Sequence, residues 1–424
     1  MEESRKNHKR KLFMVTSNYP NQGGDSIFAL PELPELARRF DLTVICTGGR
    51  GDCKYVRDDV KYLFYEQKLS AGDKIRYALQ YFLNQSCREE LAEIRKTGSG
   101  DSLQKTVGKI YKSIEFYACG ELFYRFFLKN AKESLHDENV IYYTFWCNAY
   151  SLPMILHKRR HPNFHMITRL HGYDLFEERY MYGRQPFKTI INKGMERLFF
   201  VAGLPMQYYR NVHQELDSEK TEVCRLGVYP IMAAKTPRRL APFVLVSCSN
   251  MVPLKRISLL IEALAGLEES VYWIHFGDGE ERQALEQKAC REFGGRENIR
   301  YLFRGNLANE EIRQFYAENC VDCFITTSST EGGAPVSVME AMAAKIPVIG
   351  TAVGDIPAMI DGNGILLSEN PSVGEVADAI KKMVFMPETE RIQMREKSFR
   401  LWKDSFNAEE NARVFGEKVE SIGI

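Results

Sequence analysis

The sequence of 424 residues has almost no net charge, with Lys+Arg 57 against Asp+Glu 56 and a formal balance of +1. Nothing in that balance draws the chain onto nucleic acid, so any basic function must be local. Long apolar runs are also missing. The longest, such as Leu198 to Met206, fall far short of the roughly 18 residues needed to cross a bilayer. Met1 to Lys11 is polar and basic and leads into Leu12 to Val15, too short a stretch for a signal-peptide core, so no secretion signal is expected. The ten cysteines follow no framework spacing and sit mostly in apolar segments, which predicts buried, reduced thiols in a cytosolic protein. Cys320 and Cys323 form the only close pair. They lack a partner pair and a basic neighbour, and the strand-like residues Val321, Asp322, Phe324 and Ile325 run through them, so no metal or redox centre is expected there.

What remains is a globular composition, 44% hydrophobic and 27% charged with 30 glycines, at a length that suits two or three domains. Short β-branched and aromatic runs alternate with segments of helical period, the pattern of βα units around parallel sheets. In the first half the expected strands are Leu12 to Val15, Leu42 to Cys46, Val140 to Thr144, His165 to Thr168, Leu198 to Ala202 and Glu222 to Arg225. In the second half they are Phe243 to Cys248, Tyr272 to Phe276, Arg300 to Phe303, Asp322 to Thr326, Pro347 to Gly350 and Gly364 to Leu367. Ala233 to Pro242, short, basic and carrying two prolines, reads as the linker between them. The expected fold class is α/β, with two doubly wound Rossmann-like domains, 1–235 and 243–387, facing across a cleft. Residues 388–424 have helical pattern and no strand, and are expected to pack as a tail across the domains.

From Leu103 the apolar residues Val107, Ile110, Tyr111, Ile114, Tyr117 and Ala118 recur at three-and-four spacing, with Lys105, Lys109 and Lys112 on another face. This predicts an amphipathic helix with a basic side. That side is either a solvated face of the domain or a surface that meets anionic lipid heads, where each basic residue adds about 1 kcal/mol.

The most informative stretch is Thr326 to Ala344, T-T-S-S-T-E-G-G-A-P-V-S-V-M-E-A-M-A-A, where a predicted strand ends in a small-residue loop and opens into a helix. In an open parallel sheet such a turn lies at the carboxyl edge, where ligands bind. Gly332 and Gly333 let the backbone approach a ligand, Pro335 suits the first helical turn, and the free N–H groups of Ala334 to Ser337 make an anion site suited to a diphosphate. Glu331 and Glu340 frame the loop. A carboxylate beside a phosphate site repels the ligand unless it accepts from sugar hydroxyls, and the combination points to a sugar nucleotide.

These residues resemble the retaining family 4 glycosyltransferases of the GT-B fold, whose mark is a Glu, seven residues and a second Glu at this position. Here eight residues separate Glu331 from Glu340, so the glycine loop is one residue longer than the family's usual form. The resemblance runs along nearly the whole chain. Lys255, in the segment Val246 to Leu264, falls where the family places a lysine for the donor diphosphate. Asn250 stands where the family has an arginine, and Arg256 is a neighbouring source for that charge. Phe276-Gly277-Asp278-Gly279 is similar to the family's glycine turn, and Arg304-Gly305-Asn306-Leu307 lies near where the nucleobase usually sits. Gly277-x-Gly279 lacks the third glycine of a dinucleotide fingerprint. In the first half, Asn18-Tyr19-Pro20-Asn21-Gln22-Gly23-Gly24 resembles the family's cleft-facing glycine loop, with a plain turn as the other reading. Thr168-Arg169-Leu170-His171-Gly172-Tyr173-Asp174 resembles its histidine loop, with a structural histidine as the other reading.

The resemblance implies transfer of a sugar from a nucleoside diphosphate to an acceptor hydroxyl with retention of configuration. Lys255, with Arg256 and the N–H groups around Ala334, Val336 and Ser337, would stabilise the departing diphosphate, with Gly333 and Pro335 among the donor-binding positions of the same loop; no placed D-x-D sequence is present and no metal is expected. Glu331 would hold the sugar hydroxyls, Glu340 the ribose hydroxyls, and His171 the reacting sugar, with Gly23, Gly24, Asn250, Gly277 and Leu307 among the donor-binding positions. The implied partners are a nucleotide-sugar donor, with uridine, guanosine and adenosine all open, and a glycan or lipid-linked glycan acceptor of capsule, exopolysaccharide or lipopolysaccharide assembly. The implied location is the cytoplasm, at the inner face of the membrane. Two other readings share the architecture: a sugar-nucleotide 2-epimerase, and an inactive scaffold protein, for which Asn250 and the longer glycine loop speak.

Overall fold

A computed structural model describes residues 9–132, 134, 140–232 and 242–423. Met1 to His8 and all of the expected linker except Pro242 lie outside the described residues. The chain divides into two compact units, one of Met1–Cys224 with Ala412–Ile424 and one of Arg225–Asn411.

The first unit is built on seven parallel strands: β1 (Lys11–Thr16), β2 (Asp41–Cys46), β3 (Lys61–Phe64), β4 (Val140–Thr144), β5 (Phe164–Leu170), β6 (Arg197–Phe200) and β7 (Thr221–Val223). Their order is β3-β2-β1-β4-β5-β6-β7. Strands covered on both faces need apolar side chains at successive positions, and β1 supplies them. Leu12 and Met14 enter one core with Leu42, Val44 and Ile141. Phe13 and Val15 enter the other with Ile45, Phe127 and Tyr142. The second unit carries β8 (Phe243–Cys248), β9 (Val271–Phe276), β10 (Ile299–Phe303), β11 (Cys323–Thr326), β12 (Val348–Thr351) and β13 (Gly364–Leu367), all parallel, in the order β10-β9-β8-β11-β12-β13. Both sheets reverse direction of growth beside their first strand, at β1/β4 and at β8/β11, which are the ligand-binding switch points of such sheets.

β3 was not expected from the pattern. It is an edge strand of four residues, Lys-Tyr-Leu-Phe, exposed or half-buried throughout and without a β-branched residue. The helix Leu103–Ala131 forms, but its faces differ from expectation. Tyr117 and Ala118 are buried, whereas Val107 and Tyr111 are each 56% exposed. Lys109, expected on a basic surface, is buried with its amine 2.6 Å from Asp101 Oδ2, and Lys105 reaches the same carboxylate at 2.8 Å. Lys112 pairs with Glu115 at 2.7 Å. The Tyr182 ring packs on Gly108, where a Cβ would lie 2.3 Å from it, and Lys105, Lys109 and Lys112 are all engaged in ion pairs.

The C-terminal residues form the helices Glu388–Ser405 and Ala408–Glu420. In the second unit the Trp402 indole donates to the Val228 carbonyl at 3.2 Å. In the first, Phe415 packs on Tyr143 and Phe199, with ring centroids 5.3 and 5.2 Å away.

Candidate functional site

In the second unit, Lys255 ends a short 3-10 turn (Pro253–Lys255) after β8, and Glu331 lies in the loop after β11, one on each side of the switch point. Their side chains meet, Lys255 Nζ to Glu331 Oε1 at 2.5 Å, with the side chains 19% and 12% exposed. Two residues 76 positions apart in the chain thus share one small volume at the carboxyl edge of the sheet. The loop is propped from β12. The Asp355 N–H donates to the Gly333 carbonyl at 3.2 Å, and a Cβ on Gly354, which has φ +58°, would lie 2.7 Å from that of Glu331.

Pro335 is the N-cap of the helix Val336–Ala343 rather than a residue of its first turn, and no side chain caps the helix. The N–H groups of Val338 and Met339 turn back to the Pro335 carbonyl, both at 3.1 Å, which leaves the Val336 and Ser337 end of the helix as the donor face. Glu340 lies one turn in and is 3% exposed, its Oε1 accepting from Asn309 Nδ2 at 3.2 Å. Burial pushes its carboxyl up to about 7, against the opposing pull of the Asn309 amide and the Arg313 charge.

Arg256 has a different setting from the one anticipated for it. Its guanidinium donates to the carbonyls of Thr327 (2.6 Å), Ser328 (2.8 Å) and Glu369 (3.0 Å) and to Asn370 Oδ1 (3.2 Å). With left-handed φ 48° it ties the loop after β8 to the loops after β11 and β13. Asn250 is exposed, its carbonyl accepting from Val252 at 3.0 Å. Gly277 donates to the Gly305 carbonyl at 2.9 Å, and a Cβ there would lie 1.9 Å from the Ser249 carbonyl oxygen, so the turns after β8, β9 and β10 close on one another at that glycine. Leu307 is half-buried against the cluster that holds Phe276 and Val338.

Gly23, Gly24 and His171 belong to the first unit. Asp25 organises the glycine loop: its carboxylate accepts from the N–H groups of Ser17 (2.6 Å), Asn18 (2.8 Å) and Tyr19 (3.2 Å) and from the Trp146 indole (3.0 Å). Gly23 and Gly24 have φ +90° and +56°. Trp146 in turn packs on His171, ring centroids 4.3 Å apart, with Phe145 at 4.6 Å. The His171 loop is held by Asp174, which accepts from the N–H groups of His171 (2.9 Å), Gly172 (3.1 Å) and Cys147 (2.9 Å). His171 is buried, and neither ring nitrogen has a hydrogen-bond partner among the described residues. Burial, and then the nearby Arg169 charge, hold the imidazole well below its usual value, so it is neutral with one donor and one acceptor uncommitted. Arg169 itself is paired with buried Glu32 beneath the Phe415 ring.

Asp25, Trp146 and Asn309 carry this geometry and were not singled out from the sequence. Asp25 adjoins the glycine loop, where an acid could have been read as its organiser. Trp146 sits just past the end of β4, but its partner lies 121 positions away, and Asn309 carries no local signal.

Residues 230–400 match the model of the family described as "Glycosyl transferases group 1", a stretch that contains Lys255, Glu331 and Glu340. Over 188 residues the chain is 28% identical to TuaC of Bacillus subtilis, a protein named for glycosyl transfer in teichuronic acid biosynthesis; the match spans 44% of this chain and 43% of that protein. Over 195 residues it is 28% identical to a component of the human phosphatidylinositol N-acetylglucosaminyltransferase, spanning 44% of this chain and 38% of the relative. The chain therefore matches less than half the length of each of these curated relatives. Among solved structures, Anabaena HepE, crystallised with UDP and glucose, superposes with a TM-score of 0.66 at 15% identity, covering 97% of this chain and 100% of that one. The two Rossmann-like α/β units are those of the GT-B fold.

Proposed function

We propose that this protein is a glycosyltransferase that moves a sugar from a nucleoside diphosphate to an acceptor hydroxyl with retention of configuration, in the assembly of a cell-surface polysaccharide. The observation that carries the reading is the Lys255–Glu331 contact at the β8/β11 switch point, with Glu340 buried in the helix that follows. The match to the group 1 family over this stretch, and the teichuronic acid name of TuaC, support it.

In this reading the diphosphate lies against Lys255 and the N–H groups at the Val336–Ser337 end of its helix. Without donor, Lys255 is neutralised by Glu331. An arriving diphosphate takes over the ammonium and frees Glu331 for the sugar hydroxyls. Negative charge grows on the diphosphate as the glycosidic bond breaks, and each well-aimed donor lowers the barrier by on the order of 3 kcal/mol. Glu340 accepts from the ribose hydroxyls, and His171, neutral and uncommitted, is assigned to the reacting sugar. UDP-sugars are the first donors to try, since HepE was crystallised with UDP. The acceptor is a glycan or lipid-linked glycan, and the working location is the inner face of the cytoplasmic membrane.

The test is thermal stability against a panel of nucleoside diphosphates and their sugars. A ligand at 100 times its Kd adds about 2.7 kcal/mol. Stabilisation by one nucleotide, lost in Glu340→Ala, is expected. Absence of stabilisation by every nucleotide at millimolar concentration would overturn the reading in favour of a scaffold.

A further inference from the structure

The first unit carries a groove that descends toward the amino edge of its sheet, away from the glycine and histidine loops. One wall is the helix Leu103–Ala131, which leads down to the start of β4, and the other is the helix Ser151–Lys158, which leads from β4 down to the start of β5. A Cβ on Gly120 would lie 3.1 Å from Pro153 Cδ, and the Tyr124 hydroxyl meets His157 Nδ1 at 2.7 Å. The helices therefore run side by side in the same direction, at a constant offset of 33 positions. Between them lies a cavity of about 460 Å³, within the roughly 300–1,000 Å³ of small-molecule sites.

The offset sorts the lining residues into two ends. Tyr117, Glu121 and Asn84 stand at the upper end, level with Pro153. Leu128 falls opposite His161, so Lys132, Arg160 and His161 gather at the lower end, where the His161 ring stacks on His157 with centroids 4.2 Å apart. The Glu121 carboxyl is half-buried and, among the described residues, makes no hydrogen bond or ion pair. Burial raises it above the usual carboxylate range, against the pull of Arg125. A half-buried acid without a partner costs free energy until something in the groove meets it.

The lower end is set for an anion. Lys132 and Arg160 come from different helices, and among the described residues neither forms an ion pair or a side-chain hydrogen bond. Nor are they spent as helix caps. The carbonyls of Ile155, His157 and Lys158 already accept from the backbone N–H groups of Arg159, Arg160 and His161, at 2.9 to 3.3 Å. Two free cations beside an imidazole suit a phosphate, which Arg can hold bidentately. At the other end, hydroxyl groups suit Glu121 in either protonation state, since they both donate and accept, and the Tyr117 and Tyr124 rings give a sugar-like body an apolar wall.

We propose that this groove is a binding site for a small phosphorylated polyol, its phosphate held by Lys132, Arg160 and His161 and its hydroxyls by Glu121, at the edge of the sheet opposite the one assigned to sugar transfer. The proposal does not rest on the glycosyltransferase reading. Calorimetry on the full chain in phosphate-free buffer, without nucleotide, tests it with glucose 6-phosphate, inorganic phosphate and glucose as probes. A hydrogen bond to a charged group is worth about tenfold or more in affinity, so glucose 6-phosphate is expected to bind at least ~10-fold more tightly than either inorganic phosphate or glucose. Arg160→Glu should weaken glucose 6-phosphate at least ~10-fold. Glu121→Ala should bring it to within ~3-fold of inorganic phosphate. Arg160 is exposed and both side chains are unpaired among the described residues, so both variants should keep the wild-type circular dichroism spectrum and nucleotide-dependent stabilisation. Equal affinity for glucose 6-phosphate and inorganic phosphate would mean a surface ion contact only and would overturn the proposal. Two other results would do the same: no binding of glucose 6-phosphate at millimolar concentration, or binding that survives both variants and so lies elsewhere on the protein.

Discussion

Glu340 offers a direct handle on the donor site, because one carboxyl is asked to be comfortable when neutral and useful when charged. Burial raises it from 4.5 to about 7. A folded-state value raised by that much makes the fold most favourable with the group protonated, a contribution fully present below about 4.5 and lost as pH rises through about 7. Its size is about 3 kcal/mol at one pKa unit per ~1.4 kcal/mol. Glu340→Gln keeps the shape and removes the charge, so the variant should exceed the wild type in stability above pH 7 and match it near pH 5. At roughly 2–4 °C per kcal/mol for a domain of this size, the difference should be readable in melting curves. Donor binding should run the other way. Two ribose hydroxyls want an ionised acceptor, so wild-type affinity for an intact nucleotide sugar, whose diphosphate diester does not titrate in this range, should fall by up to about tenfold per pH unit below 7. The Gln variant should bind weakly and without that slope. Calorimetry from pH 5.5 to 8.5 decides the matter, and equal slopes in the two proteins would refute the role given to Glu340.

Other residues lead to separate expectations. Lys255→Ala should reduce kcat by at least ~100-fold through loss of a diphosphate contact of about 3 kcal/mol, yet change the melting temperature of the free protein little, since the pair it breaks is partly solvated. Asp25→Ala strips an acceptor from three backbone N–H groups and the Trp146 indole, and should cost about 2–4 kcal/mol in chemical denaturation, with a shift of tryptophan emission in the native state. Gly277→Ala places a Cβ 1.9 Å from a backbone oxygen at φ +138° and should destabilise by more than about 3 kcal/mol, read as a lowered melting temperature.

The parallel sheets were legible because buried strands must repeat apolar residues, and the segments around β1, β4 and β8 do so without interruption. β3 was not, because an edge strand is half solvated and Lys61–Phe64 carries no such repeat. The glycine loop between Glu331 and Glu340 was legible for a local reason: a strand end, small residues and a helix start are all encoded in adjacent positions. Arg256 was not, because a guanidinium bonds whichever carbonyls the fold delivers, and Glu369 and Asn370 arrive from more than a hundred positions away. The face of the helix Leu103–Ala131 was misread for the same kind of reason. Periodicity places Lys109 beside other lysines, but Asp101, off the helix, pairs with it, and the Tyr182 ring packs across the helix on Gly108.

Sugar transfer itself is tested most directly by following the anomeric protons of an intact nucleotide sugar by NMR in the presence of the protein and a lipid-linked or soluble glycan acceptor. The account predicts loss of the donor signal, release of the nucleoside diphosphate, and a new glycosidic signal of the donor's own anomeric configuration, all slowed at least ~100-fold in Lys255→Ala. Conversion of the donor to a different sugar nucleotide or a free sugar with no acceptor present, or a product of inverted configuration, would contradict it.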